Sequence, residues 1–135
     1  MMYKRKLAVL AAIGALAGAT AVMAGPRDDI LAGYAGQAGV TAFDAAAGKA
    51  LFTGTHTGGK PETPSCTTCH TNNLSGAGRT RAGKAIEPMA VSANPQRFTD
   101  PAKVEKWFGR NCRSVLGREC SAKEKGDVIT WLSSL

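Results

Sequence analysis

The chain has 135 residues, enough for one domain, and carries 17 Lys and Arg side chains against 10 Asp and Glu. Three of the basic side chains lie at residues 4–6 of an apparent export signal, and without them the count falls to 14 against 10. This modest excess, with no basic stripe interleaved with aromatic residues, argues against a nucleic-acid-binding protein.

The N-terminal segment has the three parts of a secretory signal peptide. Residues 4–6 form a positive n-region, residues 7–19 are apolar, and residues 22–24 are compact enough to precede a cleavage site. The apolar run is too short to span a membrane comfortably, and no stop-transfer flank follows it. We therefore predict a signal peptide at residues 1–24, a periplasmic domain at residues 25–135 and no stable membrane insertion after cleavage; an uncleaved anchor is the alternative.

Two helices are predicted before the first cysteine. Residues 28–37 favour a short helix weakened by glycines, and residues 45–52 favour a better one that Thr41 or Asp44 can cap. In the second helix, positions 43, 47, 50 and 51 share one apolar face. Gly48 and Phe52, four residues apart, share another, where a glycine would let a neighbouring helix approach closely and a phenylalanine would fill the contact. The stretch that follows, residues 53–65, is a Gly/Pro/Thr loop.

Residues 66–70 read C-x-x-C-H, the attachment motif of a c-type haem. Two thiols at this spacing can add to the two vinyl groups of one haem, and His70 then falls under the iron as its proximal ligand. The dithiol of a thioredoxin-like domain would follow a β-strand, and residues 53–65, which precede Cys66, show no strand pattern. A zinc site would also need Cys112 and Cys120, whose spacing is wider than that of a usual zinc pair. We therefore predict one haem c, covalently bound to Cys66 and Cys69.

Several residues are candidates for contacts to the haem. Met89 is the only methionine after the signal peptide, and in an ordinary electron-carrying cytochrome c it would be the sixth ligand. It lies 19 residues after His70, in a loop expected on the proximal side, where Met89 would instead be a core neighbour. His56 is a further alternative ligand. Arg79 and Arg81 are candidates for pairing with a haem propionate, the alternative being solvated loop charges.

The last two predicted helices have clear start signals. The first begins with Asp100 as N-cap and a proline at the first turn, presents residues 104, 107 and 108 on one apolar face, and can end at Gly109. The second opens with a capping box at residues 121–124 and presents an apolar side at residues 128, 129, 131 and 132. The pairing of Gly48 with Phe52 resembles the N-terminal helix of class I cytochromes c, which the last helix crosses there, so we expect Trp131 against Gly48 and Phe52. A proline beside the proximal histidine is also usual there, with a nearby carbonyl accepting the ring N–H, and Pro88 resembles that residue.

A tight loop running from Asn111 to Cys120 is predicted between these helices. In an exported chain with four cysteines, two of them taken by haem, Cys112 and Cys120 are predicted to pair. Closing this ring of nine residues would stabilise the fold by about 2.5 kcal/mol on the loop-entropy estimate. Asn111 lies 41 positions after His70, roughly where a class I cytochrome presents its sixth ligand.

Four stretches resemble the sphaeroides haem protein (SHP) family: residues 63–70 (TPSCTTCH), 97–100 (RFTD), 104–107 (VEKW) and 109–112 (GRNC). The resemblance runs from about Tyr34 onward and implies an all-α, class I cytochrome c-like fold of a few short helices around one haem. It also implies that Asn111 is the sixth ligand of a high-spin iron, next to a disulfide between Cys112 and Cys120. Cytochrome c″ is similar in layout but has a histidine at the position of Asn111.

The predicted function is that of a periplasmic monohaem c-type cytochrome that transfers electrons. Its Asn111 ligand would be released on reduction, so that oxygen, nitric oxide or carbon monoxide can bind. The resemblance implies a dihaem cytochrome c, or another redox protein, as electron donor. The alternatives are a plain electron shuttle with Met89 as ligand, and a haem enzyme that converts nitric oxide with oxygen. No distal His or Glu is placed for acid–base work, so the sequence favours a carrier over an enzyme.

Overall fold

The computed structural model describes residues 24–135, which are mostly helical. The elements in chain order are α1 (Pro26–Ala38), α2 (Ala45–Thr53), α3 (Thr67–His70), β1 (Gly78–Arg79), β2 (Ala85–Ile86), α4 (Pro101–Leu116) and α5 (Ala122–Ser133). The two short strands pair antiparallel, with Gly78 opposite Ile86. Apart from Ala24, the predicted signal peptide lies outside the described residues. Within the described range, no helix is long and apolar enough to cross a membrane.

Local capping signals define the starts of α2 and α5, as the sequence predicted. The carboxylate of Asp44 accepts hydrogen bonds from the backbone N–H groups of Ala46 at 2.9 Å and Ala47 at 3.1 Å. Ser121 and Glu124 form the predicted capping box, each side chain accepting from the other's backbone N–H. These bonds satisfy donors that the first turn of a helix leaves open. Both predicted N-terminal helices are confirmed, with ends that differ by at most two residues.

Helix α4 is longer than predicted. It begins at the expected cap, where Asp100 accepts from the N–H of Lys103 at 3.1 Å, but it continues through Gly109 and ends at Gly117, which has φ 71°. The predictions that Gly109 ends the helix and that a loop starts at Asn111 were therefore wrong.

The reason lies in the apolar pattern of α4. Val104, Cys112 and Val115 are all buried and fall on one helical face that spans Gly109. A glycine in a helix interior costs only about 1 kcal/mol, which the burial of this face exceeds. The position predicted for the sixth ligand therefore lies on a helix rather than on a loop.

Helices α2 and α5 cross at Gly48, where their backbones touch. A Cβ atom built on Gly48 would overlap the carbonyl of Asp127 and lie 2.7 Å from the amide nitrogen of Val128. Four residues later, Phe52 meets Trp131 with ring centroids 5.5 Å apart. The predicted crossing of the last helix over the Gly48 and Phe52 face is thus confirmed.

The other face predicted for α2 is confirmed only in part, since Phe43 and Leu51 pack against the buried clusters but the two alanines between them do not. Ala47 and Ala50 are exposed, because the helix turns its glycine face towards α5 and leaves these alanines in solvent. The closest approach of the two backbones excludes any side chain at the crossing, so the contact requires Gly48 and not an alanine face.

The crossing is fixed further by the buried carboxylate of Asp127. It accepts from the backbone N–H of Asp44 at 2.8 Å and from the Lys123 ammonium at 2.7 Å. A buried carboxylate needs such partners to offset its loss of hydration. Asp127 therefore links α5 to the start of α2.

Candidate haem site

A cavity of about 510 Å³ lies between α3, α4 and the segment that joins β2 to α4. Its wall contains five of the six residues that the sequence predicted or considered as haem attachment sites and iron ligands, namely Cys66, Cys69, His70, Met89 and Asn111. His56 is absent from this wall, and its ring Nε2 instead lies 2.8 Å from the carbonyl oxygen of Leu51. The chain therefore gathers residues up to 45 positions apart, from Cys66 to Asn111, around one space.

The two thiols of the motif belong to a single helical turn. Helix α3 directly follows Cys66, and the backbone N–H of His70 donates to the Cys66 carbonyl at 3.1 Å. Both cysteines are free and half-buried. Burial raises the pKa of the Cys66 thiol to about 11, so it is protonated at neutral pH in the absence of haem. This turn presents both sulfurs and the imidazole to the cavity within five residues.

The hairpin packs closely against this turn at Gly78. A Cβ atom on Gly78 would overlap the carbonyl oxygen of Cys69 and lie 3.0 Å from the Cα atom of His70. The close approach therefore requires glycine, and it holds the end of α3 in place. The sequence did not predict this hairpin, since strands of two residues carry no alternating pattern.

His70 is held as a neutral imidazole. Burial, together with the positive charge of Arg97, lowers the pKa of His70 to about 4. Its ring packs against Phe52 with centroids 5.6 Å apart. A neutral imidazole is the form that binds a metal ion. Cavity, thiols and imidazole together fit a covalently bound haem.

The second ring nitrogen of His70 departs from the sequence prediction. Nδ1 is buried and has no hydrogen-bond partner among the described residues. The carbonyl of Pro88, the proline expected beside the proximal histidine, accepts instead from the guanidinium of Arg97 at 2.8 Å. The prediction that a carbonyl of this loop accepts the His70 N–H is therefore wrong for this structure.

Asn111 is an exposed residue of α4 and lines the cavity. Its side-chain amide forms no hydrogen bond with any other described residue, so its oxygen and nitrogen are both available to a ligand in the cavity. The adjacent Cys112 is buried, and its sulfur is at bonding distance from that of Cys120, with the Cα atoms 5.7 Å apart. This contact ties the second half of α4 to the start of α5.

Met89 is held in the core by its surroundings. Its backbone N–H donates to the Leu74 carbonyl at 2.9 Å, and its side chain packs against the buried cluster that contains Phe52 and Trp131. These contacts resemble those of a residue that fills space beside a cofactor. They favour the interpretation of Met89 as a core neighbour.

The arginines considered for a haem propionate do not reach the cavity. Arg79 donates to the Gly83 carbonyl, and Arg81 pairs with Glu62 at 3.1 Å. The basic side chains in the cavity wall are instead Lys84, Arg97 and Lys103. Arg97 is the functional candidate that the sequence argument missed, although it opens the RFTD stretch that resembles the SHP family.

Comparison with known proteins decides the family. Residues 38–132 match a family model described as "Domain of unknown function (DUF1924)". The chain is 54% identical over 122 residues to cytochrome c-type protein SHP of Cereibacter sphaeroides, which spans 85% of this chain and 94% of that protein. The chain belongs to the SHP family of c-type cytochromes.

Solved structures of relatives agree with this assignment. Oxidised SHP, described as an oxygen-binding cytochrome c, is similar with a TM-score of 0.76 and 57% identity, over 79% of this chain and 95% of that one. Oxidised cytochrome c″ of Methylophilus methylotrophus is similar with a TM-score of 0.65 and 30% identity, over 81% and 94%. Cytochrome c″ is also 44% identical in sequence over 68 residues, half of this chain and 47% of that protein.

Membership of the SHP family confirms two predictions. The fold is the mostly helical, cytochrome c-like fold, and the cofactor is a single covalently bound haem c. The cavity and the C-x-x-C-H turn supply the place for that cofactor in this chain.

Proposed function

We propose that this protein is a periplasmic electron-transfer cytochrome that binds a small diatomic ligand, such as oxygen, nitric oxide or carbon monoxide, when it is reduced. Cys66 and Cys69 attach the haem, His70 is the proximal ligand and Asn111 the sixth. The haem supplies an iron that cycles between the ferric and ferrous states. A dihaem cytochrome c, or another redox protein, donates the electron. The oxygen binding ascribed to SHP, with which this chain is 57% identical in structure comparison, supports the ligand class.

The observation that carries the proposal is the placement of Asn111. Its amide lines the same cavity as His70 and has no competing partner among residues 24–135. An amide oxygen is a hard, neutral donor that prefers the harder ferric ion, so its bond to the iron would weaken on reduction. Asn111 would then be free to swing away and to donate its N–H to an incoming ligand.

The linkage between Cys112 and Cys120 limits how far Asn111 moves. Cys112 is adjacent to Asn111 on α4 and is buried, and Cys120 holds it to the start of α5. We propose that the two form a disulfide in the exported protein. The side chain of Asn111 can then rotate while its backbone stays in place, which favours rebinding on oxidation.

Replacing Asn111 with Ala tests this function. We expect an altered ferric absorption spectrum and an unchanged high-spin ferrous spectrum, because Asn111 is a ligand only before reduction. Met89→Ala is the matched control and should leave both spectra as they are. The opposite pattern, a low-spin ferrous haem with a ferric thioether band that Met89→Ala abolishes and Asn111→Ala leaves intact, would identify an ordinary His/Met electron shuttle.

The disulfide makes a separate prediction for stability. Replacing Cys112 and Cys120 with Ser should lower the free energy of unfolding by about 2.5 kcal/mol, since the reduced chain regains loop entropy when unfolded. Denaturant unfolding of the holoprotein measures this difference. The unreduced parent, unfolded and treated with a thiol reagent, should show no free cysteine; two labelled thiols would show that the bridge is not formed.

A further inference from the structure

Arg97 lies in the cavity wall and forms an unusual set of contacts. Its Nε donates to the carbonyl of Pro88 at 2.8 Å and its Nη2 to the carbonyl of Glu87 at 2.5 Å. Within residues 24–135 its guanidinium has no carboxylate within ion-pair distance. Arg97 is therefore a half-buried cation without a direct ion pair among these residues, and the acidic side chain that acts on its charge is that of Glu87.

The backbone around Arg97 is fixed from outside. Arg27, in the first turn of α1, donates to the Arg97 carbonyl at 2.8 and 3.1 Å and to the Pro95 carbonyl at 2.7 Å. The next residue, Phe98, has φ 59°, a left-handed conformation that a bulky side chain rarely adopts. Such a conformation persists only where the surroundings enforce it. The backbone that carries Arg97 is thus fixed, and the two hydrogen bonds of its guanidinium orient the side chain.

The fixed guanidinium affects His70. A metal-binding histidine usually donates its second ring N–H to an acceptor, which orients the ring and strengthens it as a ligand. Here Nδ1 of His70 is buried without a partner among the described residues, while the carbonyl of Pro88, in the loop expected to supply an acceptor, is engaged by Arg97. The imidazole therefore lacks the acceptor that would strengthen it, and the positive charge of Arg97 acts on it from the same cavity wall.

We propose that Arg97 is a positioning residue that raises the reduction potential of the haem. It engages the Pro88 carbonyl and places a positive charge beside His70, and both effects favour the less charged ferrous iron. The proposal rests on the proposed function, because it takes His70 as the proximal ligand. A higher reduction potential makes it easier for the electron donor to reduce the iron. Release of Asn111 is then favoured as well.

Three variants of the holoprotein test the role of Arg97. Arg97→Gln removes the charge and Arg97→Lys keeps it, while both lose the Nε donor to Pro88. Arg79→Gln is the matched control, since Arg79 is exposed, bonds only to Gly83 and is absent from the cavity wall. Each is measured by redox titration and by the iron–histidine stretching frequency of the ferrous protein.

We expect Arg97→Gln to lower the equilibrium constant for reduction about tenfold, which is about 59 mV for one electron. Arg97→Lys should lower it less. Both should raise the iron–histidine frequency, because His70 gains an acceptor and becomes a stronger ligand. Arg79→Gln should change neither quantity.

Two outcomes would overturn the proposal. The first is a potential and a stretching frequency in Arg97→Gln no different from those of Arg79→Gln. The second is a lower potential with an unchanged frequency, which would assign Arg97 to a haem propionate. If Arg97→Gln fails to fold, the frequency of Arg97→Lys decides. The spectra of Asn111→Ala are read independently, so failure of the ligand switch is recognised separately from failure of this role for Arg97.

Discussion

Replacing Gly48 with Ala is expected to lower the free energy of unfolding by about 1–3 kcal/mol, the usual cost of overpacking. The added methyl group would overlap the backbone of Asp127 and lie 2.7 Å from the nitrogen of Val128, and backbone atoms cannot rotate away as a flexible side chain can. Helices α2 and α5 must then separate. Denaturant unfolding of the holoprotein measures the loss.

Gly33→Ala is the matched control for this prediction. Gly33 also lies inside a helix, but a Cβ atom there would meet nothing within 4 Å. The alanine should therefore leave stability unchanged or raise it by about 0.5–1 kcal/mol, since it reduces the entropy of the unfolded chain. A Gly48→Ala protein as stable as Gly33→Ala would show that the crossing is not as close as the structure describes.

The crossing also bears on the haem site. Phe52 lies on α2 one turn after Gly48, and its ring packs against both Trp131 and the ring of His70. A separation of α2 from α5 would therefore loosen the packing that orients the proximal imidazole. We infer that the close helix contact stabilises the fold and positions His70 at the same time.

Local chemistry explains which parts of the fold were predictable. Asp44 and Ser121 each accept a hydrogen bond from a backbone N–H within three residues, so both helix caps could be predicted from the sequence. The C-x-x-C-H spacing likewise encodes its chemistry within five residues, and the haem c that it predicts is confirmed by the family. Gly48 could be recognised because a Gly and a Phe at helical spacing suit a close crossing.

Features that depend on distant parts of the chain were missed. Gly109 has a local tendency to end a helix, and it is overruled by the burial of Val104, Cys112 and Val115 along the whole of α4. Arg97 donates hydrogen bonds to carbonyls 9 and 10 residues away. The next residue, Phe98, has a left-handed backbone conformation that no local sequence pattern predicts. Such features are specified by the packed structure rather than by spacing.

Replacing both Cys66 and Cys69 with Ser is expected to abolish covalent haem attachment completely. The thioether bonds require sulfur, and α3 presents these two free thiols, with His70, on a single turn in the cavity wall. Denaturing electrophoresis stained for haem should then show no stained band.

The matched control replaces Cys112 and Cys120 with Ser. It also removes two sulfurs from the same cavity wall, yet it should keep the haem stain and lose only the stability that the disulfide ring contributes. A stained band in the Cys66 and Cys69 variant would mean that the haem is attached elsewhere.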